Sequence, residues 1–411
     1  MQPLRKVISK LKLRASYGQV GNANLGGRRF AYLSTITDDY DTLNMYKWGL
    51  DSSYGLTGMA EGEFAVQDLT WEIVNKMNLG VELGFLNGMI DLQLDYFDER
   101  RKDIFMPRES VPMTAGFMKQ PWKNFGKVTN QGVEVSLNVN KQFGKDLFVS
   151  LMGTFTYAHN EITEKDEPSA VVGTNRAETG HPVGQLTGYI AEGLFTEDDF
   201  EDVSTGKLKE GIPTQSFVGK LRPGDIRYRD VNGDGKVDVF DKSPIGGTKD
   251  PEIVYGFGLN MKYKDIDFGV LFQGIGRSWN ILGSSIIPGA NRGVTGNMFT
   301  NANDRWTVDN PSQNVFYPRL DDGINSNNNQ PSTWWLRNMS FLRLKNIEIG
   351  YCLPKNLWRN TTVISGIRLF VRGTNLLTFS KFDLWDPEVE NTTGAAYPIM
   401  KSLSAGFEIK F

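Results

Sequence analysis

The residues best suited to chemistry lie in one short stretch of this 411-residue chain, 230–241. Oxygen-bearing side chains occupy its positions 1, 3, 5, 9 and 12, glycine stands at position 6, and position 7 can offer a backbone carbonyl. Calcium is bound by about six to eight oxygens, and loops with this spacing supply them. The stretch therefore predicts a structural calcium site, with magnesium as the other candidate ion. The predicted ligands are Asp230, Asn232, Asp234, Asp238 and Asp241 through their side chains and Lys236 through its carbonyl.

Two features separate this stretch from an EF-hand loop. The segment before it, 226–229, has an extended rather than a helical pattern, and position 12 is an aspartate instead of the longer glutamate. Both differences weaken the affinity or favour magnesium, but the oxygen ligands remain. The alternative is a turn rich in Asp, Asn and Gly that binds no ion. The complete twelve-residue register favours the metal site, which would order a long connection.

Tryptophans in the segments predicted to connect strands form a second group of candidate residues. An exposed indole offers a flat apolar face on which a sugar ring can stack, so these side chains are candidates for substrate contacts. The alternative for each is anchoring at a membrane interface or packing within a loop. The candidates are Trp279, Trp306, Trp334, Trp335 and Trp385.

Much of the chain alternates apolar and polar residues with a period of two, which is the pattern of a strand with one apolar face. The alternation is clear over 90–96 and 255–263, and it continues to the final residue, Phe411. Asn87 and Gly88 supply a tight hairpin turn between two such segments. Counting the alternating segments predicts about ten strands.

The predicted connections between these strands alternate in length. Short links are expected at 86–88, 141–146, 264–265 and 354–366, and long ones at 22–70, 98–127, 159–252, 277–340 and 377–402. Short turns at one end of a sheet and long loops at the other are typical of an outer-membrane barrel. The sequence therefore predicts an all-β fold, a transmembrane antiparallel β-barrel with long extracellular loops. A β-sandwich would show shorter strands at a more even spacing.

Composition agrees with this interpretation. Only 39% of the residues are hydrophobic, the mean hydropathy is −0.36, and no apolar run reaches the roughly 18 residues of a membrane helix. The net charge of −3 argues against nucleic acid as a partner. The single cysteine, Cys352, can form no disulfide within the chain. Because the first residues show no hydrophobic export segment, the chain is expected to be the carboxy-terminal part of a longer exported protein.

Six short motifs together carry a family resemblance. They are 12–22 (KLRASYGQVGN), 130–134 (NQGVE), 223–226 (PGDI), 230–235 (DVNGDG), 342–346 (LRLKN) and 373–376 (GTNL). In this order they resemble the carboxy-terminal half of the SusC/RagA family of TonB-dependent outer-membrane transporters. The resemblance implies a barrel of about 22 strands with an amino-terminal plug. Residues 1–411 would then be its carboxy-terminal part, without the plug and the signal peptide.

The resemblance also implies a function and partners. The expected function is active import of oligosaccharides or peptides as the barrel subunit of a SusCD-type uptake complex in the bacterial outer membrane, with no enzymatic step. The expected partners are a SusD-like surface lipoprotein, outer-membrane lipid, and the TonB complex, contacted through the amino-terminal part. Two alternatives stay open. A passive porin shares the barrel but leaves the long loops unexplained, and a secreted calcium-binding protein that binds or cleaves glycans would have a polar exterior.

Overall fold

Ten long strands form one antiparallel sheet whose strand order follows the chain. This arrangement confirms the predicted all-β fold and the predicted number of long strands. The strands are β1 Ile8–Asn22, β2 Glu72–Phe85, β3 Ile90–Pro107, β4 Trp122–Phe143, β5 Leu147–Glu164, β6 Ile253–Tyr263, β7 Ile266–Gly276, β8 Phe341–Cys352, β9 Gly366–Ser380 and β10 Ser402–Lys410.

The structure is a computed structural model that describes most of the chain. The described residues are 7–37, 46–50, 54–56, 59–117, 119–283, 286, 299–321, 323, 325–358, 363–389 and 391–411. Within these ranges, none of the helices has both the length and the apolar character needed to cross a membrane.

The two faces of the sheet differ in polarity, as a barrel wall requires. Outward-facing side chains are apolar and exposed, among them Leu13, Leu151 and Phe407, which are 73%, 46% and 69% exposed. The opposite face carries ion pairs that join different strands, such as Arg14 Nη2 on β1 to Asp95 Oδ1 on β3 at 2.9 Å, across the intervening β2. An apolar exterior and a polar interior are the reverse of what the secreted alternative requires.

Aromatic side chains mark both ends of the outward apolar band. On β6 the band runs from Tyr255 to Tyr263, and the paired residues of β5 run from Phe155 to Leu147. At about 3.3 Å per residue and a tilt of about 40°, strand segments of this length span roughly 20–25 Å of membrane. The band therefore has the height of a hydrocarbon core with aromatic residues at its borders.

Connections between the long strands alternate between short and long, as predicted. The first short turn is tight because three consecutive residues, Leu86, Asn87 and Gly88, have positive φ of 53°, 58° and 83°. One predicted connection is wrong in extent: β3 and β4 continue to Pro107 and from Trp122, so the link expected at 98–127 shortens to 108–121. Above the apolar band the run 98–103 is polar at every position, so alternation cannot reveal that the strand continues.

Shorter elements lie within the long connections. The short strands are Ile36–Thr37, Tyr46–Trp48, Tyr54–Leu56, Ala60–Glu61, Gln185–Gly188, Ala191–Leu194, Phe200–Asp202, Lys207–Leu208, Thr214–Gln215, Ile226–Tyr228, Lys236–Val237, Ser243–Thr248, Trp279–Ile281 and Leu336–Asn338. The 3-10 helices are Met113–Ala115, Glu197–Asp199, Val239–Asp241 and Lys355–Trp358.

The main buried core lies in these connections rather than in the sheet. Three long connections, 165–252, 277–340 and 381–401, contribute to one cluster of buried side chains, called the loop core below. It explains why the connections are ordered, because a barrel wall alone gives them no apolar surface to pack on. The loop core consists of Tyr189, Leu194, Ile226, Tyr228, Val237, Leu282, Ile286, Trp306, Tyr317, Trp335, Met339 and Phe382.

Candidate functional site

A buried polar hub at Asp225 joins two long connections next to the loop core. Its Oδ1 accepts hydrogen bonds from Arg319 Nε at 3.1 Å, Asn325 Nδ2 at 3.0 Å and Asn328 Nδ2 at 3.1 Å. Burial raises the pKa of the Asp225 carboxyl above its ordinary value, and Arg319 opposes that rise. A side chain at the preceding Gly224, whose φ is +85°, would overlap the Trp306 ring. The PGDI motif therefore has a structural role, holding the connections 165–252 and 277–340 together.

The predicted metal loop, 230–241, begins two residues after a short strand that the hub holds. Its first carboxylate, Asp230, accepts the backbone N–H of Gly233 at 2.7 Å and of Gly235 at 2.8 Å. Both glycines have positive φ, 76° and 84°. These angles curl the backbone so that its N–H groups point at one carboxylate. The loop is thus folded around the side chain at its position 1.

Asp241 closes the same loop from its other end. The residue is fully buried, and its Oδ1 accepts the N–H of Val231 at 2.8 Å while its Oδ2 accepts that of Asp238 at 2.8 Å. Asp238 in turn accepts the N–H of Phe240 at 2.8 Å and caps the 3-10 helix Val239–Asp241. Position 12 therefore ties the end of the loop back to its start.

Side-chain oxygens at the middle positions of the loop also accept hydrogen bonds from the loop backbone. Asn232 Oδ1 accepts the N–H of Asp234, and Asp234 Oδ1 accepts the N–H of Lys236, both at 2.9 Å. Lys236 itself lies in a short strand that pairs with Thr214–Gln215. Among the described residues, no group of three or more His, Cys, Asp or Glu side chains lies close enough together to hold a metal ion. The metal site stays a prediction.

The donor set of the loop nevertheless suits a hard divalent cation. All its side-chain ligands are carboxylate or amide oxygens, which calcium and magnesium prefer. A carboxylate offers about four lone-pair positions, so Asp230 and Asp234 keep free acceptor positions after their backbone hydrogen bonds. The loop carries four carboxylates within twelve residues, and a bound cation would offset their charge. The ligand atoms of the loop are thus chemically suited to calcium or magnesium.

The structure places the candidate tryptophans around the loop core. Trp335 and Trp306 are buried, 1% and 8% exposed, so they do not offer an exposed face to a sugar. Trp334 is half-buried and donates its indole N–H to the Phe316 carbonyl at 3.1 Å. Trp279 and Trp385 are also half-buried. The expected exposure is thus wrong for Trp306 and Trp335. Substrate contact by any of the five tryptophans stays a prediction.

A second buried charge links the last long connection to the sheet. Arg343, on the lumen side of β8, is 1% exposed, and its Nη2 lies 2.5 Å from Asp386 Oδ1. Its Nε lies 3.4 Å from Glu388 Oε2. Sequence reasoning noted the LRLKN motif without assigning this role to Arg343. The signal that could have found it is an arginine at a lumen-facing position of a strand next to an acidic loop.

Comparison with known proteins agrees with this architecture. Residues 4–376 match the family model described as TonB dependent receptor-like, beta-barrel. The chain belongs to the TonB-dependent receptor β-barrel family. It is therefore part of an outer-membrane β-barrel, as the alternating strands predicted.

Individual relatives narrow the assignment to the SusC/RagA family, as predicted. The chain is 28% identical over 414 residues to the TonB-dependent receptor SusC of Bacteroides thetaiotaomicron, covering 98% of this chain and 38% of SusC. It is 24% identical to the TonB-dependent receptor P3 of Formosa agariphila, with 98% and 40% covered. The RagAB peptide importer in its open-open state superposes with a TM-score of 0.71 at 25% identity, covering 99% of this chain.

The matches cover nearly all of this chain but less than half of each relative. The chain spans about 40% of the length of the curated relatives it matches. The RagAB chain is likewise covered over 40% of its length.

Proposed function

We propose that this chain forms part of the wall and the external loops of an active outer-membrane importer for oligosaccharides or peptides. One observation carries the proposal: the ten-stranded wall and its ordered long connections together superpose on the RagAB peptide importer over 99% of the chain. The similarity therefore includes the loops, where an importer would meet its cargo, and is not limited to the strands. The proposal assigns no chemical step to the chain, which acts as a transport protein rather than an enzyme.

The proposal includes three partners of the whole protein. A SusD-like surface lipoprotein would cover the external side, the TonB complex would energise transport through an amino-terminal part of the whole protein, and residues 1–411 would be the carboxy-terminal part of the barrel. The relatives that support these partners are SusC and the RagAB importer. The loop core is consistent with a covering partner because it gives the long connections a fixed shape.

Energised uptake tests the import proposal. Cells that lack the gene and cells complemented with it are given a mixture of oligosaccharides and peptides above the porin size limit, and depletion from the medium is followed by mass spectrometry. We expect depletion of at least one component only in complemented cells, and loss of that depletion when TonB is deleted. Depletion that persists without TonB would instead support the passive porin, and equal depletion by both strains would contradict transport.

We also propose that the loop 230–241 binds calcium, or magnesium, in a structural role. Asp230, Asn232, Asp234, Asp238 and Asp241 would supply side-chain oxygens and Lys236 its carbonyl. The support is the twelve-residue register, the inward curl around Asp230 and the negative charge of the four carboxylates in the loop. A bound ion would neutralise that charge and fix the segment that leads into β6.

Removal of two ligands tests the metal proposal. The double variant Asp230→Ala with Asp234→Ala should lose calcium binding in calorimetry and become more sensitive to protease within 222–250, while the protein stays inserted in the membrane. Lys209→Ala on the same connection is the control, because its side chain is exposed and lies outside the loop. Calcium binding that survives in the double variant would contradict the assignment, as would an intact protein that binds no calcium.

A further inference from the structure

A small cavity lies beside the loop 230–241, on the external side of the sheet. Its volume is about 300 Å³, and its walls come from two segments of the same long connection. The first segment contributes Arg176 and His181, and the second contributes Lys242, which directly follows the loop. The cavity is called the cationic pocket below. It does not include any of the proposed calcium ligands.

The two cations of the pocket are held in place through aromatic rings and backbone. The Arg176 guanidinium lies 4.7 Å from the centroid of the Phe240 ring, and its Nη2 donates to the Ala170 carbonyl at 3.3 Å. The Lys242 ammonium lies 5.9 Å from the centroid of the Tyr189 ring. A guanidinium stacked on a ring keeps its edge free for hydrogen bonds in its own plane.

The segments that carry these cations are fastened to each other. Asn175, next to Arg176, donates from Nδ2 to the Phe240 carbonyl at 2.8 Å and to the Lys242 carbonyl at 2.7 Å. On the other wall, the His181 carbonyl accepts the N–H of Ile162 at the end of β5 at 2.9 Å. The pocket is therefore built on a hydrogen-bonded frame anchored to the sheet.

Neither cation is neutralised within the described part of the chain. No carboxylate there lies within 4.0 Å of the charged nitrogens of Arg176 or Lys242. The one acidic residue lining the pocket, Glu178, is paired with Lys165 at 2.7 Å. An arginine and a lysine that face one cavity without a counter-ion leave a positive potential in it.

We infer that the cationic pocket binds a carboxylate of the cargo. The inference rests on the proposed import function, since it names a chemical group of what is imported. A guanidinium and an ammonium together suit a carboxylate, through charge-assisted hydrogen bonds, and His181 adds a ring nitrogen. The nearby Glu178 favours a singly charged carboxylate over a doubly charged phosphate. A cavity of this size holds one sugar ring or one terminal amino acid.

Two sources of carboxylate share this chemistry, and the probes distinguish them. One pair is trigalacturonic acid and its methyl ester, and the other is a tetra-alanine peptide and its carboxy-terminal amide. Binding of each probe to the intact protein, purified in detergent with calcium present, is measured by calorimetry. We expect one acid to bind at least about tenfold more tightly than its neutral counterpart, because a hydrogen bond to a charged group contributes about one to two decades of affinity.

A charge-matched pair of variants locates that preference. Arg176→Gln with Lys242→Gln should weaken binding of the acid by about 10- to 100-fold and leave the neutral probe unchanged. Lys209→Gln with Arg222→Gln removes the same two charges from exposed positions on the same connection and should change neither. The conservative Lys242→Arg should retain binding within about threefold.

Several outcomes would overturn the inference. The first is equal binding of the acid and the neutral probe by the intact protein. This comparison needs no variant, so a folding failure of the double variant does not prevent the test. Equal weakening of acid binding by both double variants would place the effect in general charge rather than in the pocket. Either result would leave the import proposal standing, because energised uptake is measured separately on cells.

Discussion

Leu151 lies near the middle of the outward apolar face of β5, and an arginine there would place a charge in the hydrocarbon core of the membrane. The Leu151 side chain is 46% exposed on that face. Ser150 precedes it on the same strand and faces the lumen, in register with Asn260 and Asn140. Ser150→Arg is therefore a matched control, which adds the same charge at the same depth on the opposite face.

The depth of Leu151 sets the size of the effect. Phe155 and Leu147, each four residues away along β5, mark the two ends of the apolar band on this strand. At about 3.3 Å per residue and a tilt of about 40°, Leu151 lies about 10 Å from each end. An arginine at the midplane costs about 2–4 kcal/mol, and reaching toward one end of the band recovers part of that cost. We expect Leu151→Arg to lose about 2–3 kcal/mol.

Reversible folding into lipid vesicles measures this loss. The intact protein is unfolded in urea and refolded at graded urea concentrations, and the folded fraction is read from the mobility of unboiled samples on gels. Leu151→Arg should lower the folded-to-unfolded ratio by about 30- to 150-fold, whereas Ser150→Arg should change it by less than about tenfold. Equal losses in the two variants, or a larger loss for Ser150→Arg, would refute the assignment of the faces.

Three further predictions concern close packing, the polar hub and alkaline stability. Gly132→Ala should cost about 1–3 kcal/mol of folding in lipid because its Cβ would overlap a backbone carbonyl of β5, whereas Gly153→Ala, where a Cβ meets nothing within 4 Å, should be tolerated; equal folding of the two would contradict the packing. Asp225→Ala removes a buried carboxylate that lies 3.0 Å from the half-buried Arg319 guanidinium, so protease should cut within 165–252 at least about tenfold faster while the protein stays inserted, and an unchanged rate would argue against the hub. Burial raises the pKa of Tyr189 to about 12, and an unfolded phenol ionises near about 10, so the stability of the loop core should be complete below pH ~10 and should fall between about pH 10 and about 12. Tryptophan fluorescence against pH measures this fall. Tyr189→Phe should reduce the fall, and an unaltered profile in that variant would contradict the role of Tyr189.

The sheet could be predicted because a two-residue alternation follows directly from having lipid on one side and water on the other. This physical cause also sets the limit of the method. Beyond Tyr96 the strand leaves the membrane, Asp98 and Arg100 pair at 3.1 Å on the outward face, and polar residues occupy both faces. The pattern then contains no information on where the hairpin ends, so Pro107 and Trp122 were missed.

The loop core could not be predicted from local pattern. Its contacts join residues about a hundred positions apart, such as Ile226 N to Asn328 Oδ1 at 2.9 Å. Trp335, expected as an exposed stacking residue, is buried and donates its indole N–H to the Asn328 carbonyl at 2.7 Å. An aromatic residue in a long connection can pack or bind, and the choice depends on which other connections fold over it.

For charges on the lumen face, the sequence predicts the face of the sheet but not the ion-pair partners. The alternation of β2 places Glu82 on the polar face, but it names no partner. In the structure Glu82 meets Lys10 at 2.8 Å, Lys12 at 3.2 Å and Arg14 at 3.1 Å across the β1–β2 pair. The register of that pair, which aligns Lys12 with Glu82, is what brings the charges together.

Cysteine labelling on intact cells tests most directly whether this chain is an outer-membrane wall with its long connections outside. Val308 in a long connection and Leu357 in a short one are 76% and 67% exposed, and each is replaced by cysteine in a Cys352→Ser background. We expect a maleimide reagent that cannot cross membranes to label Val308→Cys on intact cells and Leu357→Cys only after the outer membrane is opened. Labelling of Leu357→Cys on intact cells, with Val308→Cys protected until opening, would contradict the orientation on which the proposed import function depends.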